Sequence, residues 1–401
     1  MATPERRPRF EGRGSAGSDW SCSCSCLRFC RGEPLRTPFA PLPPATAPET
    51  GCPAPPEALR NIEGVSFYTD PAFSRPDPGR LAADAAVQKR LDVWQDAVQA
   101  AVARARAGEA GAAACALSLL DDWAKSGAML GAVNQQGAYH RVWALAGAGL
   151  AFLRIRDAAG LEPVSVGRVG RWMREVADAI QPRYDRASRA LISDVRNNHA
   201  AWAGLAVAVA GIASDSRAHF DWGMARLHAQ LAQVTGEGAL PQELARGALA
   251  LHYHLFALEP VAALERLAAA NGVTLPPEDE AALERLTGFV LAAAKDPSRI
   301  GALAGVPQSD PWLKGRPPLS EAAGLEIRAQ ARPDAALEAA LAPFRPYRMR
   351  WLGGMVTGQW ITGQGIAIPD GGSPALEGPA RTPSPGSVSY THLTLPTIYS
   401  V

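Results

Sequence analysis

The chain has 401 residues, of which 47% are hydrophobic and 20% are charged, a composition typical of a globular protein with a sizeable core. Its formal net charge of +1 removes the electrostatic argument for nucleic acid or an anionic membrane as the main partner. The sequence has no run of about 18 apolar residues, so it predicts no membrane span.

The first 50 residues are predicted to lie outside the folded domain. Ser and Cys alternate over 21–26, which fits neither a zinc site nor a disulfide framework. Read one base earlier, Ser and Cys codons of the type TCC and TGC become leucine codons, and a leucine run forms the apolar middle of a secretory signal peptide. We therefore interpret 1–50 as an out-of-frame or disordered leader, with a genuine disordered tail as the alternative. Its Pro-rich end, from about residue 40, predicts an extended chain that continues to about residue 60.

From about residue 81 to 345 the hydrophobic pattern is helical. Apolar residues recur every three or four positions along Leu81–Val102 and Phe220–Val234, which predicts amphipathic helices. By contrast, Trp143–Leu153 and Ala200–Ala213 are apolar nearly all round and must be buried on every face. This alternation predicts an all-α protein with two concentric layers, an α/α toroid. A helical-repeat solenoid is the alternative, although no fixed repeat period is visible.

The second of these apolar segments is preceded by a polar cluster. Asn197, Asn198 and His199 stand at the start of an otherwise apolar helix. Asn197 is equally well explained as a helix cap. Burying Asn198 and His199 together is costly without polar partners, so we expect them to face a cleft.

A second polar cluster follows about fifty residues later. Arg246 and Tyr253 are seven residues apart, two helical turns, and are predicted to share one helix face. His252 is then expected to face outward or to lie behind the cleft. His254 is expected to support packing.

An amide, an imidazole, an arginine and a tyrosine in one cleft suit β-elimination on a uronic-acid polymer. The C-5 proton is weakly acidic beside a charged carboxylate, so an enzyme must neutralise that carboxylate in the transition state. It also needs a base for the proton and an acid for the leaving C-4 oxygen. A tyrosine whose pKa is lowered by nearby cations can serve as either. No cofactor is required, and no His, Asp or Glu set at ligand spacing predicts a metal.

The C-terminal end is also predicted to lie outside the domain. Residues 366–387 are rich in Gly, Pro and Ser, as in a disordered tail. Residues 388–393 match the translation of a transposon-adaptor sequence, so 366–401 is interpreted as a disordered tail that ends in adaptor-derived sequence. The folded domain is therefore predicted to span 51–365.

Three motifs of the sequence together closely resemble the alginate lyases of the poly(β-D-mannuronate) lyase type. The resemblance runs from about residue 52 to 354 and implies an α/α toroid and an enzyme that cleaves mannuronate-rich alginate by β-elimination. The motifs are Asn197-Asn198-His199-x-x-Trp202, Leu240-Pro241-x-Glu243-Leu244-x-Arg246 and Ala250-x-x-Tyr253-His254.

Matched position by position, the resemblance implies roles for four residues. Tyr253 corresponds to the catalytic tyrosine, the general acid and also the base. Asn198, His199 and Arg246 correspond to the set that neutralises the carboxylate, with His199 an alternative base. A polyanionic polysaccharide is the implied partner, and a monomer is expected.

The resemblance also implies a disulfide between Cys52 and Cys115. Such a bond requires an oxidising compartment, which is consistent with a periplasmic or secreted protein. Two unrelated buried thiols are the alternative. Substrate-binding positions are less closely matched, and Arg348 and Arg350 are alternatives for one cleft arginine. The expected substrate-binding residues are Tyr68, Arg75, Gln135, Gln136, Tyr139, Arg141, Trp202, Arg348 and Arg350.

Three departures leave substrate preference open. Gln242 and Ala245 differ from the residues that close relatives carry, and residues 296–320 match poorly. A lyase on another uronate polymer, polyguluronate or glucuronan, is therefore an alternative. A non-catalytic periplasmic polysaccharide-binding protein is a further one, although it has no need of Tyr253.

Overall fold

A computed structural model describes residues 33–360. The chain divides into two units, Met1–Pro34 and Leu35–Val401. Residues 1–32 of the predicted leader, with the Ser-Cys alternation, and the predicted tail 366–401 lie outside the described residues. In the described part the helices are α1 (Pro78–Arg106), α2 (Ala112–Lys125), α3 (Gln135–Leu153), α4 (Pro163–Tyr184), α5 (Asn198–Ser214), α6 (Arg217–Leu231), α7 (Pro241–Leu244), α8 (Ala250–Ala270), α9 (Pro277–Lys295), α10 (Ser298–Ala304), α11 (Ala323–Ala331) and α12 (Ala335–Leu341).

The helices of the second unit form two layers, as an α/α toroid requires. Helices α3, α5 and α8 are buried along almost their whole length and pack against one another in sequence. Helices α4, α6 and α9 bury one stripe and pack on their outer side. The fully apolar segments therefore form the inner layer and the amphipathic ones the outer layer, which confirms the predicted fold class.

The second half of the inner layer contains a long apolar helix. Gly247–Ala270, with an 18-residue window of mean hydropathy 1.2, is long and apolar enough to cross a membrane by length and composition alone. In the structure 78% of its apolar window is buried inside the protein. Its hydrophobicity is therefore explained by its place in the core, where α5 and α11 pack against it.

A short antiparallel hairpin follows the helices. Strand β1 (Arg348–Met349) pairs with β2 (Gly354–Met355), and the turn between them packs against α3. Short 3₁₀ turns lie at Gly247–Leu249, Pro318–Glu321, Ala342–Phe344 and Arg350–Leu352.

Ordered packing begins earlier than the predicted boundary at residue 51. Leu35 and Phe39 are buried, and the Phe39 ring lies 5.0 Å from that of Trp360. The Thr37 hydroxyl donates a hydrogen bond of 3.0 Å to the carbonyl oxygen of Leu153. Leu35 and Phe39, just before the Pro-rich stretch, therefore pack as part of the second unit, which begins at Leu35.

The predicted disulfide between Cys52 and Cys115 is formed. It ties the extended segment before α1 to α2, at a sequence separation of 63 residues. The extended segment after Cys52 then runs to the cleft, where Ile62 pairs with Val133 in an isolated β-bridge.

Candidate active site

A cavity of about 300 Å³ opens at one end of the inner layer. The loop around Phe67, the starts of α3, α5 and α8, and the segment 310–321 supply its walls. Seven of the residues predicted from the sequence line it together: Tyr68, Gln135, Gln136, Tyr139, His199, Arg246 and Tyr253.

Arg246 and Tyr253 are in direct contact. The guanidinium carbon of Arg246 lies 3.3 Å from the centre of the Tyr253 ring. The two do not share one continuous helix, because α7 ends at Leu244 and Gly247 adopts a φ of 57° before α8 begins. The prediction of neighbouring side chains was right, but a tight turn at Gly247, rather than helical periodicity, brings them together.

The phenol of Tyr253 is buried and hydrogen-bonded to the hydroxyl of Tyr68. Burial raises the pKa of Tyr253, and the Arg246 charge and the Tyr68 hydrogen bond only partly oppose that effect. The expectation of a lowered pKa is therefore not met in this state. Tyr253 is held as a protonated phenol, which suits proton donation.

The loop that carries Tyr68 also contacts Arg246. The Arg246 Nε donates to the carbonyl oxygen of Ala72, and the Arg246 Nη2 donates to that of Phe73, both at 2.9 Å. Arg246 is thus held by the loop on one side and by Tyr253 on the other, which fixes its planar group at the cavity wall.

His199 projects from the first turn of α5. Asn197 caps the helix, and its side-chain oxygen accepts from the His199 backbone N–H at 3.0 Å. The His199 ring stacks on Tyr139, with the ring centres 3.9 Å apart. Burial, followed by the Arg246 charge, lowers its pKa to about 3, so the imidazole is neutral at physiological pH.

Asn198 does not reach the cavity in this structure. Its Nδ2 donates to both carboxyl oxygens of Glu243 at 3.1 Å, and its backbone N–H donates to Glu243 Oε1 at 2.8 Å. Both side chains are fully buried. Glu243 therefore holds Asn198 behind the cavity wall, and the sequence did not predict this pairing.

A charged pair borders the His199 side of the cavity. Asp194 accepts from the Tyr139 hydroxyl at 3.1 Å and forms an ion pair with Arg183. Burial raises the pKa of Asp194, but Arg183 outweighs it and holds the carboxyl ionised. Asp194 lies in the polar segment before Asn197, but that segment does not predict an ion pair with Arg183.

Five predicted substrate-binding residues lie away from the cavity wall. Arg141 donates to the Ala179 carbonyl oxygen in α4, and Arg350 pairs with Asp92 and Asp96 in α1. The remaining three are Arg75 in the loop after Tyr68, Arg348 in the exposed part of β1, and Trp202, which is buried against Phe256 and Trp351.

His252 was expected to face outward or behind the cleft, but it lines the cavity. Its Nδ1 lies 2.8 Å from Asp310 Oδ2, in a segment far along the chain. His254 supports packing as predicted, because its Nε2 accepts from the Leu240 backbone N–H at 2.9 Å. In the described part of the chain, no group of three His, Cys, Asp or Glu residues is placed to hold a metal ion.

Solved structures share the fold. Alginate lyase A1-III from Sphingomonas species A1 superimposes with a TM-score of 0.63 at 20% identity, over 78% of this chain and 86% of that one. A histidine-to-alanine variant of that lyase, complexed with tetrasaccharide, superimposes with a TM-score of 0.65. At this identity the likeness concerns the fold.

Sequence relatives identify the family. A polysaccharide lyase from Stenotrophomonas maltophilia is 32% identical over 330 residues, which cover 81% of this chain and 95% of the relative. An alginate lyase from Azotobacter vinelandii is 36% identical over 208 residues, about half of each chain (51% and 54%). The family model described as alginate lyase matches residues 68–300. The chain belongs to the alginate lyase family.

Proposed function

We propose that the protein cleaves mannuronate-rich alginate by β-elimination. The observation that carries this proposal is the contact of Arg246 with Tyr253 at 3.3 Å, on a cavity that His199 also lines. Family membership supports lyase chemistry. The relative from Sphingomonas that was solved with a tetrasaccharide supports a sugar chain as ligand.

Arg246 is the residue best placed to bind the uronate carboxylate. A carboxylate beside the guanidinium lowers the cost of the negative charge that develops as the C-5 proton leaves. The electron pair then forms the C-4=C-5 double bond, and the C-4 oxygen departs with a proton from Tyr253. The products are a chain with a new hydroxyl at its end and a chain that begins with a 4,5-unsaturated uronate.

The protonation states decide which group serves as base. In mannuronate the C-5 hydrogen and the C-4 oxygen lie on one face of the ring, so a single Tyr253 can take and return the proton. The Arg246 charge and the Tyr68 hydrogen bond both favour the phenolate that this requires, and burial opposes it. His199, neutral with a pKa of about 3, is the alternative base.

A second candidate substrate follows from the same pKa directions. In guluronate the two leaving groups lie on opposite faces, so elimination needs a base and a separate acid. A neutral His199 and a protonated Tyr253 form such a pair. Cleavage of polyguluronate therefore stands as the second function.

The proposed compartment is the periplasm or the outside of the cell. The Cys52–Cys115 disulfide supports this, because such bonds persist in oxidising environments. Thiol alkylation of protein trapped in the cytoplasm and of exported protein would test it. Equal protection of both cysteines in the two fractions would contradict the proposal.

Purified protein incubated with polymannuronate, polyguluronate and glucuronan tests the activity. The conjugated double bond of the product absorbs ultraviolet light, and we expect the fastest rise on polymannuronate. A faster rise on polyguluronate would favour the mechanism with His199 as base and Tyr253 as acid. A rise on glucuronan alone would show that the substrate is a glucuronate polymer instead of alginate. No rise on any polymer, together with retained binding, would indicate a binding protein and overturn the lyase proposal.

A further inference from the structure

One wall of the cavity is built by the segment 305–322, which we name the 305–322 wall. Its Asp310, Trp312 and Glu321 line the cavity together with His252 and Glu259 of α8. Asp310 Oδ2 lies 2.8 Å from His252 Nδ1, and the Trp312 ring centre lies 4.6 Å from that of His252. The family match ends at residue 300, so this wall lies outside the matched residues.

Two polar atoms, one on this wall and one on the adjoining α8, lack hydrogen-bond partners among the described residues. Glu259 is 4% exposed and Trp312 is 3% exposed. Within residues 33–360, neither Glu259 Oε2 nor Trp312 Nε1 has a hydrogen-bond partner. A buried polar atom without a partner is costly, typically about 1–3 kcal/mol. A ligand hydroxyl in the cavity can hydrogen-bond to either atom, because a hydroxyl both donates and accepts.

The charges here differ from those near Arg246. The carboxyl groups are crowded, since burial and the nearby Glu321 raise the pKa of Glu259 well above its usual range. Burial also raises the pKa of Glu321, although it pairs with Arg316. Asp310 is partly buried, but His252 and two backbone N–H groups outweigh that burial and lower its pKa, so this carboxyl is ionised.

A uronate carboxylate at this wall would meet these carboxyl oxygens, and Arg316 is already paired with Glu321. Sugar hydroxyls, which both donate and accept, fit the same oxygens and the Trp312 N–H without a charge penalty.

We propose that the 305–322 wall, with His252 and Glu259, forms a sugar subsite that binds hydroxyl groups and rejects a carboxylate. This inference rests on the lyase function proposed above and refines its substrate class. The bound ring is either a neutral sugar within a uronate-containing polymer or a uronate whose carboxylate points away from the wall. Both present the same hydroxyl chemistry, and the experiments below separate them.

Binding of two probes that differ only in charge tests the subsite directly. Isothermal titration with neutral mannotetraose and with tetramannuronate measures the affinities of the wild type, Glu259→Leu and Trp312→Phe. We expect the affinity for mannotetraose to fall about tenfold in Glu259→Leu and several-fold in Trp312→Phe, since each removes a hydrogen-bonding atom. Glu57→Gln, at a largely exposed carboxylate, is the control. No binding of mannotetraose to the wild type, or equal affinity in all variants, would overturn the subsite.

Measurements of turnover distinguish a neutral sugar from a uronate whose carboxylate points away from the wall. We compare kcat/KM on polymannuronate with that on a polymer in which uronate and neutral hexose alternate. We expect kcat/KM on polymannuronate to rise at least about threefold relative to the alternating polymer in Asp310→Asn, which removes an ionised carboxylate. The rise should be smaller in Glu321→Gln, because the raised pKa of Glu321 already weakens its charge. A wild-type preference for the alternating polymer identifies a neutral sugar, and a preference for polymannuronate identifies a uronate turned away.

Different results would contradict the subsite and the lyase function. Wild-type activity with an unchanged ratio in both variants would overturn the charge selection and leave the lyase intact. No unsaturated product on any polymer would overturn the lyase function, and the mannotetraose titration would still decide whether the hydroxyl subsite exists. Circular dichroism of each variant establishes that it is folded.

Discussion

The guanidinium of Arg246 stacks on the ring of Tyr253 at 3.3 Å. A cation in this position favours a negative charge on the phenol, while burial disfavours it, and the effect of burial prevails. The contact therefore links the group that would neutralise the substrate carboxylate to the group that would move the proton. Changes at either residue are expected to affect the chemical step.

Tyr253→Phe removes the phenolic hydroxyl and keeps the ring. We expect kcat to fall by at least about 10²–10⁴-fold, the usual contribution of acid–base catalysis. The dissociation constant for a mannuronate tetrasaccharide should stay within a few-fold. Product absorbance and isothermal titration measure the two quantities. Tyr184→Phe is the matched control, because the Tyr184 hydroxyl is buried away from the cavity without a hydrogen-bond partner among the described residues. Retained turnover in Tyr253→Phe would remove this residue from the mechanism.

Arg246→Lys keeps a positive charge but loses the planar group. Lysine cannot donate to the Ala72 and Phe73 carbonyl oxygens in the same geometry. We expect kcat/KM on polymannuronate to fall about 10²–10³-fold, as for the loss of a preorganised transition-state donor. Arg348→Lys, at an exposed position outside the cavity, should change kcat/KM little. A larger loss in Arg348→Lys than in Arg246→Lys would reverse the assignment of the carboxylate-binding arginine.

The layered fold could be predicted because burial dictates composition. Every residue from Ala200 to Ile212 is buried, and a helix with no polar face can only lie inside the protein. The same rule misplaced Trp202. A tryptophan at the start of an inner helix is compatible with a sugar platform, but here it packs between Phe256 and Trp351. Hydrophobic pattern identifies the layer, not the side chains that reach the cavity.

Long-range polar pairs could not be predicted from the sequence. His252 faces the cavity because Asp310, 58 residues later, is brought beside it by a segment without a helical pattern. Asn198 turns away because Glu243, 45 residues later, accepts from its amide. Each pairing depends on how an irregular connection crosses the end of the inner layer. No local pattern at either residue specifies its partner.

The Cys52–Cys115 disulfide is predicted to stabilise the domain without contributing to activity. It closes a loop with a separation of 63 residues, for which the chain-entropy model gives about 4 kcal/mol. The double variant Cys52→Ala/Cys115→Ala should lose about this free energy of unfolding, measured by urea denaturation. Neither cysteine lines the active-site cavity, so kcat/KM of the folded variant should not change. Wild-type stability in reductant equal to that in oxidant would contradict the prediction.

His254 is predicted to make the protein less stable in acid. Its pKa is lowered to about 4 by burial, while an unfolded histidine titrates near about 6.5. Between these values the unfolded state binds a proton that the folded state does not. The free energy of unfolding therefore decreases as the pH falls from about 6.5 to about 4, by about 3 kcal/mol from this residue.

Comparison of two variants isolates this contribution from those of the other titrating groups. His254→Gln should be less stable at neutral pH, since the Leu240 N–H loses its acceptor, but its stability should fall less steeply from pH 6 to pH 4. His228→Gln is the control, because its hydrogen bond to Asp279 raises the pKa of His228. The stabilisation that follows from the raised pKa is fully present below the pKa of unfolded histidine and is lost only as the pH rises. The fall in the free energy of unfolding from pH 6 to pH 4 should therefore match that of the wild type. Equal slopes in wild type and His254→Gln would show that His254 is not the group that resists protonation in the core.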